Sequence, residues 1–136
     1  MKATLWVPGP LPGMNEIVAA AKSGHGKGNA YSRQKALWTT LVARGARSRR
    51  IGLFPSPVTI SCVWVEPNAR RDPDNIEAAI KFVNDGLVQA GVLSGDRRKD
   101  IAAIRHEVIT GETSGVQVTI ESVNPESNVS IEPMEE

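Results

Sequence analysis

The run Arg70-Arg71-Asp72-Pro73-Asp74-Asn75, followed by Lys81, Asp85 and Asp96, gathers the side chains in this sequence best suited to holding a divalent cation. Pro73 disfavours the helical region for the residue before it, so Asp72 is expected in extended backbone. Residues two apart in an extended chain point the same way. Asp72 and Asp74 can therefore present both carboxylates to one point at the end of a loop. Two hard anionic oxygens of that kind are what a magnesium ion takes from a protein.

The spacing predicts a helix over about Asn75–Ala90. At about 100° per residue, with Asp74 as zero, Lys81 falls near −20° and Asp85 near +20°. The apolar set Ile76, Ala79, Ile80, Val83 and Leu87 gathers near 200° on the same count. The apolar stripe would seat the helix and leave Asp74, Lys81 and Asp85 on the opposite face. Asp96 follows in the loop Leu93-Ser94-Gly95-Asp96, within reach of the same cluster. Structural readings stand beside these. Asp74 with Glu77 makes a capping-box pattern, Lys81 and Asp85 make an i,i+4 surface pair, and Asp96 with Arg97-Arg98-Lys99 makes a solvated turn. Composition and spacing alone leave both sets open.

The elements that must position these residues can be read from the rest of the chain. With 136 residues, 40% of them hydrophobic, the chain suits a single domain with a real core. Lys2–Val7 reads as a strand stopped by Pro8-Gly9-Pro10-Leu11-Pro12-Gly13. Ala21–Asn29, with Gly24-His25-Gly26-Lys27-Gly28, reads as a mobile basic loop. A helix follows over about Ser32–Arg47, and Pro57–Glu66 alternates like a strand, Val58, Ile60, Cys62 and Trp64 against Thr59, Ser61, Val63 and Val65. Gly91 is placed to stop the 75–90 helix. Strands at about Ile101–Thr110 and Val116–Ser122, joined by Gly111-Glu112-Thr113-Ser114-Gly115, read as a hairpin. The expected order is β-α-β-α-β-β, an α/β fold with helices on a small mixed sheet. Residues 1–122 form the domain. Residues 123–136 have the Pro, Ser, Asn and Glu content of a disordered acidic tail.

Composition narrows the function classes. No apolar run approaches the ~20 residues that span a bilayer, and the N-terminus lacks a secretory signal stretch, so no membrane partner is expected. A lone cysteine, Cys62, excludes a disulfide framework and a Cys-based zinc site, and a cytoplasmic setting follows. The net charge of +1 hides a basic body: residues 1–122 hold all 16 Lys/Arg and 11 of the 15 Asp/Glu. Such a body permits a polyanionic partner. Aromatic residues at 4% argue against a single-strand binder built on stacked aromatics. Gly24–Gly28 lacks the P-loop spacing, so no nucleotide cofactor is expected. His25 and His106 are isolated and read as bystanders, and Cys62 as packing.

The run Asp72-Pro73-Asp74-Asn75, then Lys81-Phe82-Val83-Asn84-Asp85-Gly86-Leu87, then Ala90-Gly91-Val92-Leu93-Ser94-Gly95-Asp96, resembles the signature of the RusA family of Holliday junction resolvases. That pattern is D-x-D-N, a helical lysine, an aspartate four residues on, and a glycine-containing turn ending in Asp-Asp. Pro10-Leu11-Pro12-Gly13-Met14-Asn15 is similar to the family's early Pro-rich, Asn-bearing turn. The resemblance covers roughly residues 3–122. Asn75 to Lys81 is longer than in the founding members and resembles the phage-type branch. The final Asp-Asp is Gly95-Asp96 here, so only Asp96 is carried over.

The resemblance implies a magnesium-dependent, structure-selective endodeoxyribonuclease that resolves four-way DNA junctions by paired symmetric nicks. Asp72, Asp74 and Asp96 would be magnesium-binding catalytic carboxylates, Asp85 a weaker fourth ligand, and Lys81 the catalytic lysine. Arg70, Arg71, Arg97, Arg98, Lys99 and Lys27 are expected to contact DNA phosphates. The resemblance also implies a homodimer, to which Val63 and Val65, apolar on the second face of a strand, add a hint. A non-catalytic junction-binding relative, or a metal-dependent nuclease on other branched DNA, are the alternatives.

Overall fold

The computed structural model describes residues 1–24, 29–123 and 131–134. Its elements are β1 (Lys2–Pro8), α1 (Met14–Lys22), α2 (Ala30–Ser48), β2 (Val58–Glu66), α3 (Pro73–Glu77), α4 (Ile80–Gln89), β3 (Ile101–Thr110) and β4 (Gly115–Ser122). The fold is the expected small α/β arrangement, helices on a four-stranded mixed sheet of order β1-β4-β2-β3. The alternation read in β2 holds: Val58, Ile60, Cys62 and Trp64 are buried, with Thr59, Ser61, Val63 and Val65 half-buried on the other face. Leu5 and Val7 of β1, Val116, Val118 and Ile120 of β4, and Val42, Ala46, Phe82, Val83 and Leu87 of the helices complete one core.

The expected hairpin is replaced by a wider connection. β4 lies between β1 and β2, antiparallel to both, and β3 runs parallel to β2 at the sheet edge. The turn after β3 therefore crosses over the end of β2, where the Gly111 N–H donates to the Glu66 carbonyl at 2.9 Å. Two inter-strand spacings are about 10 Å, within reach of the four residues 111–114. Burial explains the order. The inward residues of β4 are fully buried and need neighbours on both sides, whereas the polar Arg105-His106-Glu107 centre of β3 suits an edge.

Two helical expectations also change. α1 was not foreseen, and the single helix over 75–90 is two segments, α3 and α4, meeting at Ala78–Ala79. There the Ala79 N–H donates to Ile76 O at 3.3 Å and the Phe82 N–H to Ala79 O at 3.0 Å, a three-residue spacing. Such tightened turns advance about 20° more per residue than an α-helix, so Asp74 is rotated off the face that an even wheel assigns it with Lys81. The glycine stop is as read. Gly91 has φ +76°, and the Val92 N–H reaches Leu87 O at 2.9 Å while the Gly91 N–H reaches Val88 O at 3.0 Å, a Schellman closure. The expected mobile loop falls partly, and the expected disordered tail mostly, outside the described residues.

Candidate functional site

Asp72 has the extended conformation that Pro73 requires, φ −77° and ψ 154°, and is itself the N-cap residue of α3. The capping box centred on Asp74 does not form. Pro73 takes the first helical position, and the Asp74 Oδ1 accepts from the Asn75 N–H at 3.0 Å. Both carboxylates are exposed. Asn75 has a role that spacing did not reveal. Its Oδ1 accepts from the Asn15 N–H at 2.9 Å, capping α1, whose own N-cap residue, Gly13, has no side chain to do so. This bond fastens the proline-rich turn to the Asp72–Asn75 segment.

One cluster brings Lys81, Asp85 and Asp96 together. The Lys81 Nζ lies 3.5 Å from Asp85 Oδ1 and 4.0 Å from Asp96 Oδ2, so the loop carrying Asp96 does fold back onto α4. Sequence reasoning missed a fourth member. Lys35 of α2 places its Nζ 3.7 Å from Asp85 Oδ2. Asp85 is only 17% exposed, and both its oxygens face ammonium groups, which makes it a counter-ion rather than a free metal ligand. Lys35, Thr39, Asp85, Gln89 and Asp96 line a cleft of about 340 Å³ between α2 and α4. Asp72 and Asp74 stand at the N-terminal end of the α3–α4 segment and make no ion pair with this cluster. Among the described residues, no three His, Cys, Asp or Glu side chains converge closely enough to enclose a metal ion.

The Asp96 loop is built on Asp100, a buried carboxylate that spacing did not single out. Its Oδ1 accepts from the Ser56 hydroxyl at 3.2 Å and its Oδ2 from the Arg97 N–H at 3.3 Å. A Cβ on Gly95 would lie 2.6 Å from Asp100 Oδ2. A side chain at Gly95, the position that departs from the Asp-Asp pattern, would therefore press on the buried carboxylate that holds the turn presenting Asp96.

Of the expected phosphate contacts, Arg70, Arg97, Arg98 and Lys99 are exposed, and Lys27 lies outside the described residues. Arg71 is differently employed. It forks onto buried Glu66 at 2.7 and 2.9 Å and donates to Leu11 O at 3.0 Å. The hydrogen bond to Glu66, with charge attraction from Glu66 and Glu16, raises its pKa against a smaller opposing effect of burial. Arg71 is therefore a clamp between β2, the proline turn and the loop entering α3, and its fork is not open to a phosphate.

His106 accepts at Nδ1 from the Trp64 Nε1–H at 2.9 Å and stacks on that ring. Burial pushes the Cys62 thiol up to about 12, so it is packing rather than a nucleophile. Among the described residues no helix is long and apolar enough to cross a membrane. No family model matches this chain, and no curated protein matches it.

Proposed function

We propose that this chain is a RusA-like, magnesium-dependent endodeoxyribonuclease that cuts four-way DNA junctions. The observation that carries the reading is Lys81 held between Asp85 and Asp96, on the same α3–α4 segment that begins with Asp72-Pro73-Asp74. An exposed ammonium poised beside carboxylates can transfer to a phosphate and stabilise charge on the transferred group or its leaving oxygen. Magnesium uses one or two carboxylates, waters and substrate phosphates rather than an all-protein cage. The exposed, hard oxygens of Asp72 and Asp74 fit that requirement. When bound, the ion neutralises phosphodiester charge and activates water. Arg70, Arg97, Arg98 and Lys99 would hold the flanking phosphates and orient the strand.

Symmetric nicking of a junction requires two sites, which a two-fold dimer supplies. The open sheet face, carrying Trp6 and Ile109 about 40% exposed beside Val63 and Val65, is the surface that suits a second copy.

The test is a labelled four-way junction incubated with and without magnesium. Asp72→Asn and Asp74→Asn should each abolish cutting while junction binding persists or tightens. Full cleavage by either variant would refute their role. Binding by the native chain with no magnesium-dependent cutting would favour the non-catalytic relative, and cutting restricted to flaps or forks would favour a nuclease of other branched DNA.

A further inference from the structure

Lys35 is outside the motif that the proposed nuclease reading rests on, yet it shares a carboxylate with Lys81. Four charges alternate across the α2–α4 cleft: Lys35, Asp85, Lys81 and Asp96, joined at 3.7, 3.5 and 4.0 Å. Asp85 is the least exposed of the four side chains, at 17% against 42% or more for the others. Its Oδ2 is out of reach of solvent and accepts no hydrogen bond. The Lys35 ammonium lies 3.7 Å from that oxygen and arrives from a different helix.

A carboxylate with one oxygen shut off from water is costly to leave without a counter-charge, because a partly buried ion loses hydration that its partner must replace. If Lys81 were the sole partner of Asp85, moving its ammonium to a phosphate would strand Asp85. With Lys35 in place, Lys81 can leave and Asp85 stays balanced. We infer that Lys35 is a positioning residue of the Lys81 site, holding Asp85 so that the Lys81 ammonium is free to engage an anionic phosphate group. The inference rests on the nuclease reading for its chemistry, but the charge arrangement exists in the free protein.

The experiment compares the native chain with Lys35→Met and Lys35→Arg. Lys35 is 44% exposed, so Met is accommodated on the helix without a cavity. On a four-way junction with magnesium, Lys35→Met should lower kcat by about 10- to 100-fold, the usual effect of losing a group that orients a functional one. KM and the salt dependence of binding should be kept, and Lys35→Arg should restore most of the rate. A rise in KM with a salt slope lowered by about one would mean that Lys35 touches phosphate directly, and would overturn the inference.

Side-chain NMR of the free protein gives a readout independent of cleavage. In Lys35→Met the ε-methylene of Lys81 should become more ordered, because Lys81 is then pinned to Asp85. Unchanged order at Lys81 would overturn the inference whatever the activity. A native chain that cuts no branched DNA, with Lys81 ordered in the variant as expected, would instead refute the nuclease reading and leave the positioning role standing.

Discussion

Replacing Arg71 by Met removes a guanidinium that makes three hydrogen bonds while leaving Glu66 in place. The Glu66 side chain is 8% exposed and that of Arg71 20%, so the carboxylate would be left in a largely dehydrated position. Breaking a buried pair from one side costs about 3–5 kcal/mol. The residual solvent at Arg71, and the adjoining cleft of about 450 Å³ that can admit water to Glu66, place the expected loss at the low end, about 3 kcal/mol. For a domain of this size that is a fall in Tm of about 10 °C. Urea denaturation followed through buried Trp64 measures it. The double variant Glu66→Met/Arg71→Met removes the stranded charge and should recover most of the loss, since apolar replacements of a buried pair are commonly near neutral. A single-variant loss under about 1 kcal/mol, the range of exposed ion pairs, would refute the clamp. So would a double variant no more stable than Arg71→Met alone.

Three further outcomes are expected. Asn75→Ala should cost about 0.5–2 kcal/mol, the worth of a helix N-cap, and should raise amide hydrogen exchange at the start of α1; unchanged exchange there would show that Asn75 does not cap it. Gly95→Asp, which restores the acidic pair of the motif, should destabilise the chain by about 1–3 kcal/mol through overpacking against Asp100, read as a lowered urea midpoint; an unaltered midpoint would show that the turn has room. Cys62 should resist thiol reagents at pH 8 until the protein unfolds. The thiol is raised from 9.0 in the open chain to about 12 in the fold, so the unfolded state releases its proton first. The Cys62 contribution to stability is then full below pH 9 and declines as pH rises towards 12, a decline that should be missing in Cys62→Ala.

Elements whose cause lies in neighbouring residues were legible in the chain. The two-residue alternation of 58–66, the Pro73 restriction on Asp72, the Gly91 stop and the α4 stripe of Val83 and Leu87 all follow from local sterics and period. The proximity of Lys81 to Asp85 is likewise the geometry of one helical turn. α1 was illegible because Gly13 offers no cap and none of its residues is buried, its start being satisfied by Asn75 from 60 positions away. Arg71 read as a phosphate contact because nothing near it in sequence announces that Glu66 and Leu11 will close on it. Lys35 carried no signal at all, since its link to Asp85 exists only when α2 packs beside α4. The strand order was also withheld. The turn 111–115 is compatible with a hairpin or with a crossing over β2, and only the demand of Val116, Val118 and Ile120 for complete burial selects the crossing. Periodicity and punctuation act through bonded neighbours, so the sequence carries them openly. Partner choice across the sheet and between helices is set by which surfaces lose water together, and that is decided only in the folded chain.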